Sequence, residues 1–197
     1  MSAILPVSAQ NFRCTACGNC CRDLRVAVTA LDVARLAAAT LVAPSALVDW
    51  LEPDHVDMTG EPDSFVELNG GRRLMVLRQR DGACTQLGTD NRCRVYAARP
   101  RDCRAFPFDF SLPTGSPTKP RRLSLLPLPV PERCDYALDG ANDEAALAVE
   151  DQTRWAELRD YQALVARWNR RAWHRRRLHR VPGDAAAFLA YCSEYSR

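Results

Sequence analysis

Near the start of the chain, Cys14-Thr-Ala-Cys17-Gly-Asn-Cys20-Cys21 packs four thiols into eight residues. Nothing else in the 197 residues narrows the possible folds as much. Two cysteines separated by two residues let a tight turn aim both sulfurs at one metal ion. A glycine directly after the second allows another stretch of backbone to come close. The bland alternative is a set of buried apolar thiols, which requires four such burials in eight consecutive residues. Cys20 and Cys21 add a constraint of their own. Adjacent side chains diverge, so one of the pair is expected to serve a second metal or to bridge two.

Four further cysteines follow at wider spacing: Cys84, Cys93, Cys103 and Cys134. Gly82 and Asn91 place turn residues just before two of them. Pro100 stiffens the approach to Cys103, and Cys134 ends a connector, residues 111–133, that holds six of the thirteen prolines. Eight candidate ligands suit two four-cysteine zinc sites, two iron–sulfur clusters, one of each, or one cluster with spare thiols. The ninth, Cys192, sits in AFLAYCSEY and is expected to be a core or free thiol.

The compartment bears on this reading. Before Cys14 there is no basic segment, no long apolar run and no small-residue cleavage site, so a secretory leader is not expected. The most apolar stretch, Leu36 to Leu51, is broken by Pro44 and Asp49 and falls short of the ~18 residues that span a bilayer. A cytoplasmic chain keeps its thiols reduced, which favours metal ligation over disulfides. The formal charge of +3 counts every cysteine as neutral. Eight thiolates on two dications would take it to about −1, so charge alone names no acidic partner.

Local signals place the cysteines on a fold. Thr29 and Asp32 have capping-box spacing ahead of Val33 and Leu36, so a helix starts there. Pro44-Ser45 opens a second short helix, expected to reach about Glu52. Residues 53–63 read as loop. SFVEL-NGG-RRLMVLRQ reads as a hairpin around Asn69-Gly70-Gly71. Residues 111–133 read as an extended connector barred from central sheet. From about Asn142 to Trp173, Trp155, Leu158, Tyr161, Leu164, Val165 and Trp168 recur at helical steps. A last helix is expected from Asp184 to Tyr195. The result is an α+β chain. It comprises a small irregular metal-stapled domain over residues 1–140, with a β-hairpin and short helices, and a helical extension over 141–197.

The combined pattern resembles a known family. Cys14-x-x-Cys17-x-x-Cys20-Cys21 is followed by Gly82-x-Cys84. Then comes Cys93-x-Val95-Tyr96-x-x-Arg99-Pro100-x-x-Cys103-Arg104-x-Phe106-Pro107. This is similar to the YkgJ-type CxxCxxCC cysteine-cluster family, described as zinc- or iron-chelating, and to the cysteine region of flagellin lysine-N-methylases. The resemblance covers roughly residues 12–135. It implies metal binding by the eight cysteines and leaves the biochemical role open.

Two metals compete. Cys14, Cys17 and Cys20 have the spacing of bacterial ferredoxin runs, which suits a [4Fe–4S] cluster with a remote fourth thiolate. The same pairs suit tetrahedral all-cysteine zinc. In either case Arg13, Arg22, Arg94, Arg99 and Arg104 are placed to offset thiolate charge.

The remaining signals are weaker. His55, beside Asp54 and Asp57, reads as a solvated loop histidine or a mixed oxygen/nitrogen site. Residues Arg170 to Arg180 carry six arginines in eleven positions around Trp173, with His174 and His179. That run fits a solvated helix end or a contact for nucleic acid or an acidic partner. No G-x-G-x-x-G or P-loop is present, so no nucleotide or S-adenosylmethionine site is recognisable. Three functions stay open: a metal-binding protein, a cluster-dependent redox enzyme or methyltransferase-related catalyst, and a zinc-scaffolded adaptor for nucleic acid or protein.

Overall fold

The computed structural model describes residues 10–55, 62–109, 124–125 and 135–195. In chain order the elements are Arg13–Cys14 (β1), Cys20–Asp23 (α1), Ala30–Thr40 (α2), Pro44–Leu47 (α3), Val48–Leu51 (β2), Val66–Leu68 (β3) and Gly71–Leu77 (β4). After these come Gln79–Arg80 (β5), Ala83–Cys84 (β6), Arg101–Ala105 (α4), Phe108–Asp109 (β7), Ser124–Leu125 (β8) and Tyr136–Ala137 (β9). The chain closes with Glu144–Arg177 (α5) and Ala185–Tyr195 (α6). The fold is α+β, with a helical C-terminal region as the sequence implies.

β4 is the centre of a three-stranded antiparallel sheet ordered β2-β4-β3. Leu74, Met75, Val76 and Leu77 are all buried, so both faces of this strand are covered. Met75 and Leu77 join the main core, while Leu74 and Val76 pack with Phe65 on the other face. The β3–β4 hairpin expected around Asn69-Gly70-Gly71 is present, in register Val66↔Arg73 and Leu68↔Gly71.

The second strand corrects the sequence reading. The helix begun at Pro44 ends at Leu47, and Val48–Leu51 pairs with Leu77–Leu74 as β2. Leu47, Val48 and Leu51 satisfy a helical stripe, but Val48 and Trp50 fit a pleated surface better. The pairing also buries Val48 completely.

The helices close over the sheet. α2 starts at the predicted capping box: Thr29 accepts from the Asp32 backbone, and Asp32 accepts from the Thr29 backbone. α5 runs 34 residues from an Asp143 cap. Its Tyr161, Leu164, Val165 and Trp168 enter one core with Val33 and Leu36 of α2 and with Phe188 and Leu189 of α6. Phe188 is fully buried and meets Trp50, Tyr161 and Trp168 edge-on at 5.9, 6.4 and 5.3 Å.

α5 also covers the open edge of β3, which would otherwise present unpaired backbone groups. Asn169 accepts from Glu67 N (2.8 Å) and donates to Phe65 O (2.8 Å). Trp168 Nε1 donates to Glu67 O at 2.8 Å. Cys192 is buried in this core, as expected for a core thiol, and burial pushes its pKa up to about 12.

Most of the proline-rich stretch 111–133 lies outside the described residues. Ser124–Leu125 pairs with Phe108–Asp109 in a two-stranded ribbon. Among the described residues no helix is long and apolar enough to cross a membrane.

Candidate metal centre

Three stretches of chain carry the thiols. The first is the turn leading into α1. Ala16 (φ 59°) and Gly18 (φ 78°) are both left-handed, which reverses the chain on either side of Cys17. The N–H of Ala16 donates to Cys14 Sγ at 3.3 Å. A Cβ on Gly18 would stand 3.2 Å from the Asn91 carbonyl and 2.7 Å from Arg22 Nη1. Glycine is therefore needed there both for its backbone angle and for the close approach that the sequence suggested.

The second stretch runs from β5 to Arg94. Asp81 (φ 51°) and Gly82 (φ 75°) form a two-residue turn joining β5 to β6, with Cys84 opposite Gln79. Both central residues are left-handed, as a turn matched to strand twist requires. The N–H of Gln86 then donates to Cys84 Sγ at 3.5 Å, and Leu87 N to Cys84 O at 2.9 Å. A second turn with left-handed Asn91 (φ 63°) returns the chain, so that Leu87 pairs with Cys93. Thus Cys14 and Cys84 each accept an N–H from two residues further along. At Cys84 the bond from Gln86 opposes, without cancelling, the upward push of burial.

The third stretch is α4, which carries Cys103. Fully buried Pro100 precedes it. The first backbone N–H of the helix, on Arg101, donates to the buried Asp32 carboxylate at 3.0 Å. Arg101 reaches two carboxylates of α5, Glu150 at 2.7 Å and Glu157 at 3.1 Å. Arg154 of α5 binds Asp102 at 3.2 Å. α4 is thus held by a lattice of charge from both flanking helices.

Polar ties draw the three stretches together. Arg22 Nη2 donates to Asn91 Oδ1 at 2.6 Å, joining the first turn to the second. Gln79 Nε2 donates to the carbonyl of Leu24, just past α1, at 2.8 Å. Cys84, Val95 and Cys103 pack against the edge of the main core.

The thiols consequently feel one another. Cys21 donates a hydrogen bond to Cys20, and this bond, with help from the Arg99 charge, holds Cys20 down at about 7. Cys21 itself is pushed far up by the same bond, by burial and by negative charge at Cys20, Cys84 and Cys103. Burial raises Cys84, and charge at Cys93 and Cys20 raises it further. Burial also raises Cys103, followed by charge at Cys84, Cys20, Asp102 and Cys93. Five of the eight predicted ligands, Cys20, Cys21, Cys84, Cys93 and Cys103, therefore share one electrostatic neighbourhood. None of the described cysteines forms a disulfide.

Cys14 is exposed on β1, opposite Tyr136 of β9. Cys17 is half-buried in the turn. Cys134 lies outside the described residues. Among those described, no three His, Cys, Asp or Glu side chains converge as tightly as the ligands of one metal ion.

The donor set nonetheless suits a thiophilic metal. Five thiols from three segments cannot all ionise side by side without added positive charge to offset them. A coordinated dication removes that obstacle, because a ligating thiol gives up its proton outright.

The arginines divide. Arg99 and Arg94 act on Cys20 and Cys84 through charge. Arg13 points elsewhere, to Asp139 at 2.7 Å. Arg104 donates to the carbonyls of Arg99 and Ala97 and so shapes the loop before α4. His55 is exposed at the end of a 3-10 turn, Pro53–His55.

A family model described as "CxxCxxCC: Putative zinc- or iron-chelating domain" matches residues 13–121, more than half of the chain. The chain belongs to the CxxCxxCC family. The matched stretch takes in all three thiol-bearing segments, from Cys14 to Cys103. It ends before Cys134, α5 and α6. No curated protein and no solved structure matches the chain.

Two features of this CxxCxxCC centre go beyond the turn residues that the sequence marks: the β5–β6 hairpin closed at Gly82 and the clamp on α4. The Asp81-Gly82 turn is a strong hairpin signal hidden in a turn-rich stretch. The clamp of Asp32, Arg101 and Glu157 joins residues far apart in sequence, and only the capping role of Asp32 has a local signature.

Proposed function

We propose that this protein binds metal through its cysteines, with Cys20, Cys84, Cys93 and Cys103 as one four-thiolate set holding zinc or iron. The observation that carries this is that α1, the stretch from Cys84 to Cys93 and α4 are tied together closely enough for their thiols to act on one another through charge. Tetrahedral four-sulfur sites suit zinc or iron–sulfur chemistry. A set drawn from three separate segments is the pattern of a closed structural site, which favours zinc there.

Cys14, Cys17, Cys21 and Cys134 form the second set in this reading. Cys21 lies against Cys20, but a tetrahedral site takes only four thiolates, so the fifth thiol of this neighbourhood is assigned to the second set. Support for Cys134 comes from its neighbour: the Asp135 carbonyl accepts the Thr15 hydroxyl, directly beside Cys14. A [4Fe–4S] cluster on the consecutive run is the competing occupant, and a redox role follows only from it. Residues 1–140 then hold the metal, and residues 141–197 brace it through Glu150, Arg154 and Glu157.

Anaerobic purification followed by metal and acid-labile sulfide analysis tests the reading. Zinc without sulfide, in a colourless protein, supports two structural sites. Iron with matching sulfide and reversible visible absorption supports a cluster. In either case Cys84→Ser and Cys103→Ser are expected to lose metal, while Cys192→Ser keeps it. Unchanged metal content in the first two variants would overturn the ligand assignment.

A further inference from the structure

The arginines of α5 are unevenly partnered along its length. In its first half, Arg154 pairs with Asp102 and Asp151, and Glu150 and Glu157 neutralise Arg101 and Arg35. From Arg167 to Arg180 there are seven arginines and no carboxylate. Only Arg176 of these, bound to Glu67 at 2.9 Å, has an ion pair among the described residues. Arg167, Arg170, Arg171, Arg175, Arg177 and Arg180 are all exposed. Cations near a helix C-terminus are favoured only within the last turn, so Arg167, Arg170 and Arg171 lie beyond that explanation. Lys119 is the single lysine among the chain's 27 Lys and Arg residues, a bias that explains the residue type and not this crowding.

The aromatic rings of this end are arranged with the arginines. Arg177 stacks on Trp173 at 4.8 Å, Arg171 on Tyr191 at 4.9 Å and Arg167 on Tyr195 at 5.0 Å. Trp173 is 53% exposed and Tyr195 48%. Along the helix, Arg167 to Arg177 extends for about 15 Å. A row of guanidinium groups without ion pairs among the described residues, two of them laid on the exposed rings of Trp173 and Tyr195, offers phosphate contacts and flat stacking surfaces together, the combination that holds single-stranded nucleic acid.

A membrane fits less well. A helix lying in the bilayer interface needs a free apolar face, whereas the face of α5 formed by Leu164, Val165, Trp168 and Ala172 is buried in the core. Leu178 and Val181, both exposed, stand past the helix end.

We infer that the C-terminal end of α5, with the neighbouring face of α6, binds single-stranded nucleic acid through Arg170, Arg171, Arg175 and Arg177, with Trp173 as a stacking platform. The metal centre is not required to touch the strand, so this stands independently of the ligand assignment above.

The test is fluorescence anisotropy of the full chain, purified with its metal, against labelled thymidine and uridine oligomers of about twelve nucleotides, titrated with salt. Binding should weaken as salt rises. Changing Arg170, Arg175 and Arg177 together to Gln should weaken it at least ~10-fold and reduce the salt slope by about 2, close to 0.7 for each phosphate no longer neutralised. Lysine at the same positions should preserve the slope. Trp173→Ala should weaken binding with the slope unchanged, because stacking releases no counterions. All these positions are exposed, so melting temperatures should match the parent's. The inference is overturned if oligomers do not bind in low salt or if the Gln variant binds as the parent does. It is equally overturned if vesicles rich in anionic lipid bind this surface and oligomers do not.

Discussion

The apolar core and the cysteine region are built by opposite means. In the core, α2, β4, α5 and α6 each bury several large side chains, and Phe188, Leu36, Met75, Val76 and Val165 are sealed from solvent. In the cysteine region, α1 and α4 contain no fully buried residue, and β6 is only half-covered. Left-handed turns, N–H bonds to sulfur and arginine contacts shape it instead. Apolar burial of about 25 cal/mol per Å² sustains the first region. The second lacks that area and depends on those polar contacts and on the salt bridges behind α4. The difference predicts a molecule whose two halves fail separately.

The largest expected effect breaks them apart. Chelation of the metal should loosen residues 13–24 and 79–105 while the sheet and α5 persist, because structural metal binding is itself folding free energy. Hydrogen exchange should lose protection in those segments first. Phe188→Ala should do the reverse. Removing a fully buried ring costs about 3–5 kcal/mol, so the melting temperature falls steeply while metal per folded chain stays the same. Equal loss of both properties in both experiments would show that the two regions are one cooperative unit.

Asp32 is where the regions meet, so a substitution there should damage both. It is 2% exposed and accepts from Thr29 N at 2.9 Å, Thr29 Oγ1 at 2.9 Å, Arg35 and Arg101 N. Asp32→Ala leaves buried donors unpaired on both sides, at a cost of about 3 kcal/mol. It also frees the start of α4, so metal affinity should fall with stability. Asp32→Asn retains part of the acceptor set and should fall between. A variant destabilised by this amount with unaltered metal affinity would remove Asp32 from the support of Cys103.

How much of this could be read from the chain follows the same division. The capping box at Thr29, the β3–β4 hairpin, α5, α6 and the buried place of Cys192 are carried by local periodicity and turn chemistry. β2 is not, because its four residues satisfy a helix stripe until β4 lies beside them. Spacing named the candidate ligands but not their grouping. The quartet proposed above joins residues more than sixty positions apart in the case of Cys20 and Cys84, whose segments are tied by contacts such as Arg22 to Asn91. Arg13 shows the limit from the other side: adjacent in sequence to Cys14, it is spent on Asp139. The clamp on α4 has no sequence signature, since its carboxylates and arginines look like ordinary surface charge until α5 is laid across α4.

The smallest effect tests that clamp through pH. Burial would by itself push the Glu157 carboxyl up, but hydrogen bonds from Arg35 and Arg101, with their charges, outweigh it and hold the pKa below the usual carboxylate range. A carboxylate with a depressed folded pKa stabilises the protein fully above its unfolded value, about 4.3. That contribution is lost as pH falls through the lower folded value. The difference in melting temperature between the parent and Glu157→Gln isolates this group from every other titration. It should be constant above about pH 5 and shrink as the pH is lowered toward about 3. A difference that stays constant across that range would mean that the parent gains nothing from the ionised carboxylate. Glu157 would then hold α4 only as a neutral hydrogen-bonding group, and the support behind Cys103 would rest on Asp32 and Glu150.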